Sequence, residues 1–182
     1  MGQIIEPLNA RDYRFIVFFT GAGMSAESGV PTYRGSGGIW HKYRWEDYAC
    51  QQAFELNPRD VLEFHELRRK TVLSCDPHQG HHLISRLQGK HKQVVIITQN
   101  IDGMHQRAGS SNVIELHGSL WRLRCNLHGT FEDFGEKYES YRCKQCKQWM
   151  RPDIVWFGDR LDQETMRHAL DTIKQCDLFL SI

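Results

Sequence analysis

What this 182-residue chain lacks narrows its function first. It has no surplus of either charge: 23 Lys and Arg stand against 22 Asp and Glu, a formal net charge of +1. A nucleic-acid partner calls for a basic excess, so none is expected. No apolar run approaches the roughly 18 residues that span a bilayer, so no membrane partner is expected either. The opening stretch, Met1 to Arg14, has neither the apolar core of a secretion signal nor the Arg- and Ser-rich look of a transit peptide. Glu6 stands where N-myristoylation wants a hydroxyl residue. Six cysteines are present, and only Cys143 and Cys146 are close together, which argues against a disulfide framework. Reduced thiols and a cytoplasmic setting are the expectation. Internal repeats and low-complexity tracts are missing too.

What is there is an alternation of strands and helices. Phe15–Thr20 is continuous and apolar and stops at Gly21, as a buried strand does. Asn57-Pro58 is a helix start, with Asn as N-cap and Pro at the first helical position, and the helix runs to about Ser74. Pro77 to Gln88 supplies a second helix and Val94–Thr98 a second buried strand. Asn112–Leu116 and Leu120–Cys125 are strand-like, residues 126–148 are polar and weakly periodic, Asp162–Gln175 is helical, and Leu178–Ile182 begins a further strand. This order predicts an α/β fold with a doubly wound parallel sheet. A chain that stops inside an apolar strand reads as C-terminally incomplete.

Two patterns carry chemistry. Cys125-x2-His128 and Cys143-x2-Cys146, fourteen residues apart, have the spacing of two knuckles around one tetrahedral zinc. Four protein ligands leave no open position, so such a zinc would be structural; the other reading is a cysteine pair and an unrelated histidine. The second pattern is the glycine-rich stretch Gly21-Ala-Gly23 behind the first strand. Alone it fits either a phosphate approach or a tight turn. With Thr98-Gln-Asn-Ile-Asp102 and Leu116-His-Gly-Ser119, each after a strand, it forms a set at the sheet end where open α/β folds place ligands. The set offers amides and a carboxylate to a ribose and a carboxamide, and one imidazole to move a proton.

The helix after Asn57 raises a separate question. At about 100° per residue, Val61, Leu62, Phe64, Leu67, Val72 and Leu73 define an apolar side, with His65 and Arg68 in its middle. Glu63, Glu66 and Lys70 fall opposite, as solvated charges. A buried guanidinium needs a partner. The partner is either an acid of the chain or an acidic ligand.

The stretches "GAGMSAESGVPTYRG", "TQNIDGMHQRAG", "ELHGSL" and "RPDIVWFGD" resemble, in order, the motifs of the sirtuins, the NAD-dependent protein lysine deacylases. The resemblance runs from about Phe15 to Ile182. It implies a Rossmann-like NAD-binding domain made of residues 1–124 and 149–182, with a helical insert at about 36–75, and a zinc-binding module at 125–148. That family carries four cysteines in the module, so His128 is a departure. The resemblance implies NAD and one structural zinc as cofactors and acylated lysine as substrate. The nicotinamide–ribose bond breaks, the acyl oxygen captures the sugar carbon, and nicotinamide and an O-acyl-ADP-ribose leave. His117 would be the general base, with Asn100 and Asp102 beside it. Gly21, Ala22 and Ser25 would line the phosphates and ribose. Gly23, Ala26, Thr32, Tyr33 and Arg34 would belong to the same cofactor loop. Gln99 would hold the nicotinamide ribose, and Asn100, Ile101 and Asp102 the nicotinamide. Val155, Trp156, Phe157 and Gly158 would receive the substrate peptide as an added strand.

The resemblance is nearest to the class III sirtuins, the desuccinylases and demalonylases, which carry Tyr-x-x-Arg on this helix where this chain has His65-Glu-Leu-Arg68. Arg68 would fork onto the acyl carboxylate and His65 would stand in for the tyrosine. The alternatives are a deacetylase, an ADP-ribosyl-transferring or NAD-hydrolysing sirtuin, and a non-catalytic NAD- or peptide-binding module.

Overall fold

The computed structural model describes residues 9–33, 38–90 and 93–182. Strand β1 (Ile16–Thr20) is apolar without interruption because both its faces are covered. It leads into a one-turn helix, α1 (Ala22–Ala26), where a loop was expected. Three helices follow, α2 (Trp45–Tyr48), α3 (Gln51–Leu56) and α4 (Pro58–Leu73). Asn57 takes the N-cap position of α4, but its side chain makes no capping bond, and Pro58 alone marks the start. Helix α5 (Gln79–Lys90) then leads to β2 (Val94–Thr98), α6 (Met104–Arg107) and β3 (Val113–Glu115).

Strands β4 (Gly118–Cys125), β5 (Gly129–Glu132) and β6 (Arg151–Ile154) come next, before α7 (Gln163–Gln175) and β7 (Leu178–Ser181). The four strands of the first sheet lie in the order β3-β2-β1-β7, all parallel. Ile16, Phe18, Val94 and Ile96 pack with Ile84 of α5 on one face. Val17, Val95 and Ile97 pack with Ala169 of α7 on the other. The chain winds outward from β1 through β2 to β3 and returns to the far side of β1 as β7. The crevice of such a sheet opens beyond the carboxyl ends of these strands. No helix among the described residues is long and apolar enough to cross a membrane.

The strand expected at Leu120–Cys125 belongs to a second sheet, β5-β4-β6, which is antiparallel. Gly118 starts it. Its φ of +75° favours glycine, and a Cβ there would run into the Asp153 carbonyl. This sheet draws residues from both sides of the 125–148 segment.

Helix α4 packs on the second sheet, against β4 and β6, and much of its surface is buried. Val61, Leu62 and Val72 pack with Leu120, Leu123 and Ile154 of the second sheet. Two assignments made from periodicity change here. Leu67 and Leu73 are exposed, and Glu66, expected in solvent, is buried along with the neighbouring Arg69. The Tyr138 N–H donates to Glu66 at 2.9 Å, and Arg69 donates to the carbonyls of Asp133 and Gly135, each at 2.7 Å. Partners from the second sheet's loops make burial of these charges tolerable.

Candidate active site

A cavity of about 510 Å³ opens at the carboxyl ends of β1 and β2, with Ala22, Gln99, Asn100, Ile101 and His117 on its wall. Parallel pairing of the two strands brings their following loops together. The Asn100 side chain donates to the Gly21 carbonyl at 2.7 Å and to the Ser25 hydroxyl at 3.0 Å. The Thr98 hydroxyl receives the Asn100 N–H at 3.1 Å and the Thr20 hydroxyl at 2.9 Å. Asp102 is buried. One of its oxygens accepts the Met104 N–H at 2.9 Å. Burial pushes its carboxyl above the usual range, against the pull of the Ser25 hydroxyl, Met104 and Arg68. His117 is half-buried, and its Nδ1 lies 2.8 Å from the Gln99 carbonyl. A carbonyl only accepts, so Nδ1 carries the proton and Nε2 is the basic nitrogen.

The loop residues divide. Ala22, Thr32 and Tyr33 line the cavity, and Gly21 and Ser25 hold Asn100. Gly23 and Ala26 lie exposed on α1, outside the lining. Arg34 lies outside the described residues.

The inner wall is made by α4. His65 and Arg68 are both buried and both line the cavity. Arg68 makes one long contact to the Pro31 carbonyl at 3.5 Å, and its guanidinium lies over the Tyr33 ring, 5.3 Å from the centroid. It also bonds the Tyr33 hydroxyl, whose pKa is nevertheless raised by burial. Among the described residues no carboxylate lies within ion-pair distance of Arg68, and its Nε has no partner. Among the described residues it therefore has no salt bridge, and Asp102, which shares a small side pocket with it, acts on it only through the longer-range field. His65 behaves differently from expectation. Its Nδ1–H donates to the Val61 carbonyl at 2.7 Å, and its Nε2 accepts the Trp156 indole N–H at 3.4 Å. Both nitrogens are engaged, and burial holds the ring down to about 4. As a neutral ring it has no donor left for a ligand.

Val155, Trp156 and Phe157 line the cavity beside α4, and Gly158 lies outside the lining. An extended segment was expected here, but β6 ends at Ile154 and the chain turns. The Asp159 N–H donates to the Trp156 carbonyl at 3.0 Å, and Gly158 has φ +87°. The Val155 and Phe157 N–H groups already donate to the carbonyls of His117 and Ala49, each at 3.0 Å. The backbone N–H groups of Val155 and Phe157 are therefore not available to an added strand.

At the far end of β4 the second pattern closes. Ligand atoms of Cys125, His128, Cys143 and Cys146 all lie within 4.8 Å of one another. Tetrahedral zinc, with bonds near 2.3 Å to sulfur and 2.0–2.1 Å to nitrogen, separates S from N by about 3.6 Å and S from S by about 3.8 Å. His128 Nδ1 is 3.6 Å from Cys125 Sγ and 3.5 Å from Cys143 Sγ, and Cys125 Sγ is 3.5 Å from Cys146 Sγ. The residues fit the ion. Each knuckle ends on a residue at positive φ, Gly129 at +78° and Lys147 at +62°. The Leu127 N–H, aimed at Cys125, helps hold that thiol down to about 6, which favours the thiolate a metal needs.

Sequence reasoning missed several residues around the cavity. Trp121 holds the Asp102 carbonyl, and Arg69 stacks behind it. His105 touches the Thr20 hydroxyl at 3.0 Å. Alternation along β4 gives Trp121 an inward face, but no sequence signal pairs it with Asp102.

A family model described as the Sir2 family matches residues 21–182. The NAD-dependent protein deacylase 2 of Pyrobaculum aerophilum is 43% identical over 171 residues, 93% of this chain and 69% of that protein. A mutant Sir2 homologue in complex with ADP-ribose superposes with a TM-score of 0.85 at 36% identity, covering 93% of this chain and 70% of that one. A Sir2 homologue in complex with NAD gives a TM-score of 0.83 at 37% identity, over 93% and 68% of the two chains.

Proposed function

This chain belongs to the Sir2 family, and on that premise we propose that it removes acidic acyl groups, such as succinyl, malonyl and glutaryl, from lysine side chains. The coarser activity, NAD-dependent protein deacylation, follows from the family. One observation carries the finer reading: a buried guanidinium, Arg68, lines the cavity without a carboxylate partner among the described residues. A cation in that state is stabilised by a ligand that brings its own carboxylate. An acetyl group brings none.

The other roles are those the family resemblance implies, and the placement of the residues around the cavity supports them. When bound, NAD would supply the ribose carbon for loss of nicotinamide and capture of the acyl oxygen. Asn100, Ile101 and Asp102 line a small side pocket that adjoins the main cavity through Asn100 and Ile101; nicotinamide would sit there, with Asp102 meeting the carboxamide. His117, with Nε2 unprotonated, takes the proton of a ribose hydroxyl as general base. Gln99 orients His117 through its carbonyl and meets the nicotinamide ribose with its side chain. Ala22, Thr32 and Tyr33 line the cofactor's path. Val155, Trp156 and Phe157 form the wall against which the acyl-lysine lies. The Cys125, His128, Cys143 and Cys146 set holds one zinc, closed and structural.

The test is a deacylation panel on one peptide carrying acetyl-, malonyl-, succinyl- or glutaryl-lysine, with products identified by mass spectrometry. The reading expects the acidic acyl groups to have the higher kcat/KM. Preference for acetyl-lysine would overturn it. Free ADP-ribose or an ADP-ribosylated peptide as the main product would favour the hydrolysing or transferring alternatives.

A further inference from the structure

Asp102 presents its carboxylate from a turn, and the position of that turn depends on a tryptophan in the other sheet. The Trp121 indole N–H donates to the Asp102 carbonyl at 2.7 Å, and both residues are buried. The next residue, Gly103, sits at φ +74°, and a Cβ there would lie 2.7 Å from the indole nitrogen. Gly103 and Trp121 therefore fit each other as edge to backbone. The Asp102 side chain is tied separately, to the Met104 N–H. Carbonyl and carboxylate of one residue are thus fixed from two directions.

Trp121 is itself held by the segment after β5. The Asp133 N–H donates to the Trp121 carbonyl at 2.9 Å. Behind the indole lies the Arg69 guanidinium, 5.2 Å from its ring centroid and 4.2 Å from that of Tyr138. Arg69 is fully buried and bonded to the carbonyls of Asp133 and Gly135. The contacts run without a gap from the zinc-binding module to the nicotinamide side of the cavity.

We infer that Trp121 is a positioning residue for the nicotinamide pocket, acting through the Asp102 carbonyl and braced by Arg69. The inference rests on the proposed function in one respect, that the carboxamide meets Asp102. Removing the indole N–H leaves a buried carbonyl without its donor, so the Asp102–Gly103 turn relaxes and the carboxylate moves. The acyl-lysine wall, made by Val155–Phe157, is untouched.

Trp121→Phe keeps the ring and deletes the donor. The measurements are KM for NAD, the inhibition constant of nicotinamide, KM for the acyl-peptide, zinc content and Tm. The first two should rise about ten- to hundredfold, the worth of one buried hydrogen bond, while peptide KM and zinc content stay within twofold. In an Asp102→Asn background Trp121→Phe should add little further. Unchanged NAD and nicotinamide constants would overturn the inference. So would a rise in all three constants with loss of zinc, which would make Trp121 a packing residue of the module. If Asp102→Asn itself leaves both constants unchanged, the carboxamide does not meet Asp102; the reading fails at that point and the inference fails with it. Should Trp121→Phe not fold, Gly103→Ala, which drives a methyl at the indole nitrogen, must give the same selective rise.

Discussion

The Gln99 carbonyl, 2.8 Å from His117 Nδ1, fixes which nitrogen of the imidazole is basic. Gln99 follows β2 and His117 follows β3, and parallel pairing of those strands brings them together. His117→Ala should therefore leave the fold intact and remove the base. A positioned base contributes about 10²–10⁴-fold. Turnover of acyl-peptide by the folded variant should fall by that factor, and retention of more than about a tenth would place the base elsewhere.

Arg68→Met should invert the acyl preference. A charge-assisted fork onto a desolvated carboxylate is worth about 2–5 kcal/mol when one side is removed. Succinyl-lysine kcat/KM should drop accordingly and acetyl-lysine should change little. Equal losses on both would make Arg68 a cofactor or structural contact.

The metal set predicts one zinc per chain by elemental analysis. Chelation should lower Tm, because the knuckles have little apolar core of their own and bound metal is part of their folding energy. Replacing His128 by alanine should release zinc to a competing chelator that leaves the parent protein loaded. Full occupancy in that variant would remove His128 from the ligands and leave the three cysteines.

Stability should fall in mild acid. His81 is fully buried and held down to about 3, and His105 and His65 are each held down to about 4, burial being the largest cause in all three. An unfolded histidine takes its proton near 6.5. Below that pH the unfolded chain binds protons the folded chain refuses, so stability is lost as pH drops and is level above about 7.5. Each such group costs about 1.4 kcal/mol per pH unit, or about 4 kcal/mol for three between pH 6 and 5. Urea midpoints at pH 5, 6 and 7.5 measure the slope. Neither ring nitrogen of His81 has a protein partner among the described residues. His81→Met should therefore remove about a third of the slope, and an unchanged slope would mean that His81 does not stay neutral.

These features differ in how openly the sequence carries them. Strands β1 and β2 are legible because burial on both faces demands an unbroken apolar run. The knuckles are legible because ligand spacing is local. Helix α4 is where reading by periodicity fails. A wheel sorts residues by hydrophobicity, so it sends Glu66 to solvent and Leu67 inward, and the structure does the opposite. The cause is remote: backbone groups near residues 133–138, brought in by the second sheet, supply partners that no local pattern announces. The same holds for Trp121, whose partner Asp102 lies 19 positions away.

The engaged state of His65 decides how acyl preference should respond to pH. A histidine with a free nitrogen beside Arg68 would gain a proton below about 6.5 and offer an incoming carboxylate a second cation. Here Nδ1–H is spent on the Val61 carbonyl and Nε2 on the Trp156 indole N–H. Protonating Nε2 would set two donors against each other in a buried site, with Arg68 and Arg151 opposing the charge as well. With its pKa near 4, His65 stays neutral from pH 8 to 6. The acyl carboxylate, with a pKa near that of glutamate, about 4.3, stays charged over the same range. Any pH effect on steps common to all acyl substrates cancels in a ratio. The ratio of succinyl to acetyl kcat/KM should therefore be level between pH 8 and 6. A ratio that climbs toward pH 6 in the parent protein and flattens in His65→Tyr would mean that His65 leaves Trp156, takes a proton and meets the substrate directly.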